Sequence, residues 1–144
     1  MTSRLVLDTS VVLKWVRQEE ILAAQALGLL QQYLDGQCRV IVPSLLAYEV
    51  ANVLRYKADL NTTHVETAIQ SLFDLGLAWT SPTASLTRRA ACIARDHETS
   101  VYDATFAALA ESVNGTLITA DERLVHRLIA LPYVTFLGNV VLSA

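Results

Sequence analysis

Short apolar runs alternate with stretches of helical periodicity along the whole chain. Five runs are too short for helices and are predicted to be strands, at 5–7, 39–42, 77–80, 116–119 and 133–137. Between them, apolar residues recur every three or four positions, which predicts helices over 12–16, 19–33, 43–54, 62–75, 83–98, 102–113 and 122–129. Strands joined by helical crossovers form parallel sheets, so we expect an α/β fold with helices on both faces. A chain of 144 residues is expected to form one domain, residues 1–144.

Several predicted helix ends carry local signals. Pro43 is suited to the first turn of a helix. Gly36 and Gly76 follow the ends of two predicted helices, where glycine commonly stops the helix. Asn61 and Glu66 resemble an N-cap and its capping box.

Two aspartates each stand between a predicted buried strand and a predicted helix. Asp8 follows the first strand, and Asp121 follows the fourth. For each residue alone, the simpler interpretation is an N-cap of the next helix. In a parallel sheet, however, all strands end at one edge, where open α/β folds place their ligands. We therefore expect Asp8 and Asp121 to lie at that shared edge.

Two further acids lie on the apolar side of predicted helices. Glu49 is four residues from both Leu45 and Val53, and Asn52 follows it at a spacing that permits a hydrogen bond. Asp103 lies three residues before Phe106, and it is also in a first helical turn, where a negative charge favours the helix dipole. Carboxylates directed towards a core are unusual unless they are paired or bind metal. Both acids can face the sheet edge that carries Asp8 and Asp121.

A cluster of four carboxylates requires a counter-charge. At an effective dielectric constant near 20, two carboxylates about 5 Å apart repel by roughly 3 kcal/mol. Oxygen ligands without His or Cys favour a hard cation such as Mg²⁺ or Mn²⁺. Such an ion activates water and stabilises charge on phosphoryl oxygens, which suits hydrolysis of a phosphodiester. The sequence has no Walker-type glycine loop, which argues against a nucleoside triphosphatase.

Composition narrows the class of protein further. The chain is 53% hydrophobic and 17% charged, which indicates apolar surface covered by a partner. It has no apolar run near the roughly 20 residues of a membrane span and no signal-peptide pattern, so we expect a cytoplasmic protein. Cys38 and Cys92 lack metal-ligand spacing and a neighbouring His, and they are expected to be reduced core residues. The net charge of −3 argues against a general nucleic-acid binder.

The four acids occur in four short blocks. In chain order these are Asp8-Thr9-Ser10, Glu49 with Asn52, Tyr102-Asp103-Ala104, and Thr119-Ala120-Asp121-Glu122-Arg123-Leu124. Together they resemble the signature blocks of PIN-domain ribonucleases, and the match is closest to the small VapC-type toxins of toxin–antitoxin pairs. The resemblance covers essentially the whole chain in length and in the order of its elements.

This resemblance implies a fold, a reaction and partners. The fold is a parallel sheet of about five strands in the order 3-2-1-4-5, and the reaction is metal-dependent hydrolysis of RNA. The resemblance implies that Mg²⁺ or Mn²⁺ is held by the acids matching Asp8, Glu49, Asp103 and Asp121. Ser10 and Thr119 match positions of supporting hydroxyls. It also implies a homodimer and an antitoxin whose peptide covers an apolar groove.

Two surfaces follow from this hypothesis. Seven basic residues could contact phosphates near the site, although each is individually more typical of a solvated helix face: Lys14, Arg17, Arg88, Arg89, Arg95, Arg123 and Arg127. The first two helices, residues 12–33, are predicted to line the antitoxin groove, with Trp15 and Leu30 as test positions.

Three other interpretations remain open. The first is a non-catalytic PIN-like scaffold that binds protein or RNA, which the intact set of acids disfavours. The second is a haloacid dehalogenase type phosphatase, which requires a second Asp where this chain has Ser10. The third is a phosphoacceptor receiver domain, which requires paired acids beside the first strand.

Overall fold

A parallel five-stranded sheet forms the centre of the molecule. The computed structural model describes residues 2–142. The strands are β1 Ser3–Leu7, β2 Cys38–Pro43, β3 Ala78–Thr80, β4 Thr116–Thr119 and β5 Val134–Phe136. Their order across the sheet is β3-β2-β1-β4-β5, and every neighbouring pair is parallel. The predicted α/β class and the predicted 3-2-1-4-5 order are both confirmed.

In the described part of the chain, seven α-helices connect the strands. They are α1 Thr9–Val16, α2 Ala23–Leu34, α3 Leu45–Arg55, α4 Thr62–Asp74, α5 Ala84–Asp96, α6 Val101–Ser112 and α7 Glu122–Arg127. A 3₁₀ turn at Leu137–Asn139 follows β5. Within residues 2–142, every helix is too short or too polar to cross a bilayer.

The centre of the sheet is its most apolar part. Leu5, Val6 and Leu7 of β1 are buried, because β1 has a neighbouring strand on each side and helices cover the sheet. Helix α6 packs against β1, β2 and β4, and nearly all of its residues from Ala104 to Ala110 are buried. The first turn of α6 thereby comes to lie near the edge where β1 and β4 end.

Helix α2 begins later than its periodicity predicts. The pattern extends back to Glu19, but the helix starts at Ala23, because Leu22 adopts a left-handed conformation with φ of 68°. The residues before it form a turn that two ion pairs hold, Lys14 with Glu20 at 3.2 Å and Arg17 with Glu19 at 2.9 Å. Apolar spacing alone does not reveal such a turn.

Two other helix-end predictions also differ from the structure. Pro43 ends β2 and is aligned with Thr80 of β3, so it does not open α3. Asn61 does cap α4, but its capping-box partner is His64 and not Glu66. With Asn61 at the N-cap, the third helical position is His64, and Glu66 lies too far along the helix to reach back.

Candidate active site

Asp8 lies directly after β1 and is almost fully buried, with 6% of its surface exposed. Its backbone N–H donates to the carbonyl of Ile118 at 3.0 Å, which fixes it against the end of β4. Its carboxylate oxygen Oδ2 accepts hydrogen bonds from Ser10 Oγ at 2.7 Å and Thr119 Oγ1 at 2.9 Å. Although Asp8 occupies the N-cap position of α1, its side chain makes no capping bond. Asp8 is thus the N-cap residue by position, but Ser10 and Thr119 hold its carboxylate and no side-chain capping bond is made.

The two hydroxyls that bind Asp8 also connect the ends of β1 and β4. Ser10 Oγ accepts from the N–H of Ala120, and Thr119 Oγ1 accepts from the N–H of Asp121, each at 3.0 Å. The hydroxyl oxygens lie 3.3 Å apart. Because each hydroxyl uses its lone pairs on the backbone, its proton is available to Asp8. The structure thus brings both predicted supporting hydroxyls to Asp8.

Glu49 is half-buried on α3, and its partner is not the one the sequence suggested. Its Oε1 accepts a hydrogen bond from Thr9 Oγ1 at 2.7 Å. Asn52 is exposed, and no hydrogen bond joins it to Glu49. Sequence reasoning missed Thr9, and the available signal was a hydroxyl in the turn directly after Asp8. Thr9 therefore links the helix that follows β1 to the second predicted acid.

Asp103 lies in the first turn of α6, half-buried. The N-cap residue Ser100 holds this turn, because its Oγ accepts from the N–H of Asp103 at 3.0 Å. The cap leaves the Asp103 carboxylate free of any capping role. Its place in the first turn still agrees with the helix-dipole interpretation.

Asp121 differs from the other three acids because it is exposed and caps a helix. Its Oδ1 accepts from the N–H groups of Arg123 at 3.0 Å and Leu124 at 3.3 Å. The N-cap interpretation therefore holds for Asp121. Only one of its oxygens is used in this way.

Burial and mutual repulsion couple the four carboxylates. Burial raises the pKa of Asp8, despite the hydrogen bonds from Ser10 and Thr119 that lower it. Burial raises the pKa of Glu49 despite the bond from Thr9, and the charges of Asp8 and Asp103 raise it further. Burial also raises the pKa of Asp103, and the charges of Asp8 and Asp121 add to the rise. The four acids therefore form one electrostatic cluster.

No basic side chain neutralises this cluster in the part of the chain that the structure describes. The ion pairs there join Lys14 to Glu20, Arg17 to Glu19 and Asp59, and Arg89 to Glu111. Three of the seven basic residues considered from the sequence are thus paired with other acids. Burial is the main reason why the pKa of Asp8, Glu49 and Asp103 is raised, and for Glu49 and Asp103 the unneutralised charges of neighbouring acids add to the rise.

The donor set fits a hard divalent cation, although the acids do not stand at ligand distances from one another. Across residues 2–142, no three Asp, Glu, His or Cys side chains lie close enough together to hold a metal ion as they stand. All candidate donors are nevertheless oxygens, as Mg²⁺ and Mn²⁺ prefer. A cation would offset the repulsion that raises the pKa of Asp103 and Glu49. The chemistry of the residues fits the ion, and closer approach of the acids would complete the site.

Comparisons with known proteins agree with this architecture. The model of the PIN domain family matches residues 5–128. A toxin–antitoxin complex from Klebsiella pneumoniae has a similar structure, with a TM-score of 0.68 and 14% identity over 94% of this chain and 99% of that chain. VapC20 from Mycobacterium tuberculosis, a sarcin–ricin loop cleaving toxin, is also similar, with a TM-score of 0.68 and 16% identity. The alignment covers 90% of this chain and 96% of that chain.

FitAcB from Neisseria gonorrhoeae gives a TM-score of 0.65 and 19% identity, over 94% of this chain and 99% of that chain. At these identities the likeness is one of fold. No curated protein sequence matches the chain.

Proposed function

The chain belongs to the PIN domain family, and from that premise we propose that it is a metal-dependent endoribonuclease, the toxin of a toxin–antitoxin pair. The observation that carries the proposal is the electrostatic cluster of Asp8, Glu49, Asp103 and Asp121, which has no basic partner in the described residues. The RNA substrate is supported by the M. tuberculosis relative, which is described as cleaving the sarcin–ricin loop.

In the proposed mechanism, Asp8, Glu49, Asp103 and Asp121 would hold one or two Mg²⁺ or Mn²⁺ ions. When bound, the ion supplies an activated water and stabilises charge on the phosphoryl oxygens. Ser10 and Thr119 hold Asp8 in one orientation through Oδ2. Thr9 holds Glu49 in the same way, which keeps the carboxylate directed at the site. Such supporting hydrogen bonds orient carboxylate ligands and maintain their affinity.

We propose that an antitoxin peptide occupies an apolar groove of about 290 Å³. Helices α1 and α2, which span most of the proposed residues 12–33, supply Val12, Trp15, Val16 and Leu30, and α3 and α4 supply the other wall. Several related structures are toxin–antitoxin complexes, which supports a peptide occupant. We also retain the homodimer and the cytoplasmic location as proposals.

The groove residues differ in their value as test positions. Trp15 is 9% exposed, and its Nε1 donates to the carbonyl of Ala26 at 2.8 Å, so that it joins α1 to α2. Replacing Trp15 would therefore disturb the fold as well as the groove. Val16 and Leu30 are less buried, and Leu30→Ala or Val16→Ala should weaken antitoxin binding about tenfold without unfolding the protein. Unchanged binding in both variants would refute the groove assignment.

Cleavage of cellular RNA by the purified protein tests the enzymatic proposal. We expect defined cuts with Mg²⁺ or Mn²⁺ that disappear with EDTA and in Asp8→Asn. Asp35→Asn is the matched control, because Asp35 is exposed and accepts its hydrogen bond from Gln31, which Asn can also accept. Cuts that survive Asp8→Asn would refute the assigned role. If the protein neither cuts RNA nor binds metal, the non-catalytic scaffold is the better description.

A further inference from the structure

A large open groove lies beside the candidate active site, between the end of α5 and helix α7. Its volume is about 730 Å³, and its basic lining residues are Arg95, His97, Arg123, His126 and Arg127. Two of the three histidines of the chain therefore line this groove. With neutral histidines, the three arginines of the groove balance its three acids, Asp96, Glu98 and Glu122, whereas the chain as a whole has a net charge of −3.

The groove adjoins the acids through both of its walls. Glu122, on the α7 wall, directly follows Asp121. Glu98, on the other wall, lies two residues before Ser100, the cap that holds the turn of Asp103. Arg127 donates to the backbone carbonyl of Glu98, which joins the walls. An RNA strand bound in this groove would therefore lie next to the segments that carry Asp103 and Asp121.

The arginines of this groove form no ion pairs with carboxylates in the described residues. Within the described residues, Arg95, Arg123 and Arg127 lie in no ion pair, whereas Arg17 and Arg89 do. Because Asp96, Glu98 and Glu122 line the same groove, its cations are three separate guanidinium groups and not a continuous positive surface. A guanidinium group presents a rigid fork of donors that matches phosphate oxygens.

An exposed aromatic side chain follows the groove along the chain. Tyr102 is 63% exposed and directly precedes Asp103 in the first turn of α6. Aromatic rings are common stacking platforms for the bases of single strands, and the position of Tyr102 beside Asp103 places such a ring next to the carboxylate cluster.

We propose that this groove binds single-stranded RNA next to the cleaved bond, with Arg95 and Arg123 on phosphates and Tyr102 stacked on a base. This inference rests on the proposed ribonuclease function and adds the residues that hold the substrate. It explains how an acidic chain binds a polyanion, because guanidinium groups without carboxylate partners are concentrated beside the acids.

Binding of a fluorescent single-stranded RNA oligonucleotide to the full-length Asp8→Asn protein, over a series of salt concentrations with Mg²⁺, tests the inference. Arg95→Gln and Arg123→Gln are each introduced into that background. Arg39→Gln is the matched control, because Arg39 is exposed and lies where β2 begins, at the opposite edge of the sheet. Arg127 is left intact, since its bond to Glu98 supports the loop.

Each groove substitution should weaken binding several-fold and reduce the slope of log K against log salt by about 0.7, the value for one phosphate contact on a single strand. Tyr102→Leu should weaken binding about fivefold or more and leave the slope unchanged. Unchanged binding in the groove variants, an equal loss in Arg39→Gln, or no binding of RNA at all would overturn the inference. If the wild-type protein still cleaves RNA in that case, the ribonuclease proposal stands and only the groove is wrong.

Discussion

The ends of β1 and β4 look alike in sequence and differ in structure. Each is a buried strand followed by an aspartate and a helix. Asp8 is buried, bound by two hydroxyls and makes no capping bond. Asp121 is exposed and caps α7 through Oδ1. Asp8 is thus oriented by two neighbouring side chains, whereas Asp121 stabilises the start of α7.

The register of the strands explains this difference. Leu7 of β1 is aligned with Ile118 of β4, so the residue that faces Asp8 is Thr119. Asp121 lies two residues further along, beyond the end of β4, where the chain turns out towards solvent. The structural counterpart of Asp8 on β4 is therefore a hydroxyl that binds it. Equivalent positions in a sequence pattern need not be equivalent in a sheet.

The largest effect expected at the two strand ends is on cleavage. Asp8→Asn and Asp121→Asn should each reduce the cleavage rate by more than the roughly 10–100-fold that loss of a ligand's supporting partner costs. Both substitutions remove a charge and keep the shape, and Asn also caps helices, so α7 should survive. Single-turnover cleavage of a mapped RNA site measures the loss. Wild-type rates in Asp121→Asn would reduce its role to that of a cap.

The increase in Tm that Mn²⁺ causes should also differ between variants of Asp8 and Asp121. Mn²⁺ at about 100 times its dissociation constant stabilises a folded protein by about 2.7 kcal/mol, or roughly 5–10 °C in Tm at this size. We expect this shift in the wild type, none in Asp8→Asn, and a partial shift in Asp121→Asn. The reason is that Asp8 is the buried acid whose charge raises the pKa of both Glu49 and Asp103.

Thermal unfolding with Mn²⁺ or with EDTA makes this comparison, and Asp35→Asn again serves as the control. In EDTA, Asp8→Asn should be at least as stable as the wild type, because it removes a charge that burial disfavours. An equal Mn²⁺ shift in all variants would contradict the assignment of the site.

Thr119 connects the two strand ends, so removing its hydroxyl should affect both. Thr119→Val preserves shape but removes the donor to Asp8 and the acceptor of the Asp121 N–H. We expect about a 10–100-fold loss of cleavage and a loss of about 1–3 kcal/mol in the free energy of unfolding. Thr119→Ser should restore most of the cleavage rate and most of the free energy of unfolding. Thr116→Val, on the same strand, is the control. Failure of Thr119→Ser to restore activity would indicate a packing role alone.

Local pattern was sufficient to predict the fold and to select the four acids whose charges act on one another, but not to predict their distances from one another. Each strand is a distinct apolar run, and the crossovers between the runs require parallel pairing. Asp8 and Asp121 followed from strand ends, and Glu49 and Asp103 from apolar helix faces. The Thr9–Glu49 bond was not predictable, because it joins residues 40 positions apart on α1 and α3. No local pattern encodes how closely two helices approach at one point.

The smallest expected effect isolates the capping role of Asp121. In EDTA, Asp121→Ala should be less stable than Asp121→Asn by about 1 kcal/mol, because only Asn can accept the N–H groups of Arg123 and Leu124. Both variants remove the charge, so relief of repulsion cancels between them. The same pair at position 8 should show no such capping difference, since the Asp8 side chain makes no capping hydrogen bond to α1. Chemical denaturation measures both pairs. Equal stability of Asp121→Ala and Asp121→Asn would mean that the cap contributes nothing, and the contrast between the two strand ends would then rest on burial alone.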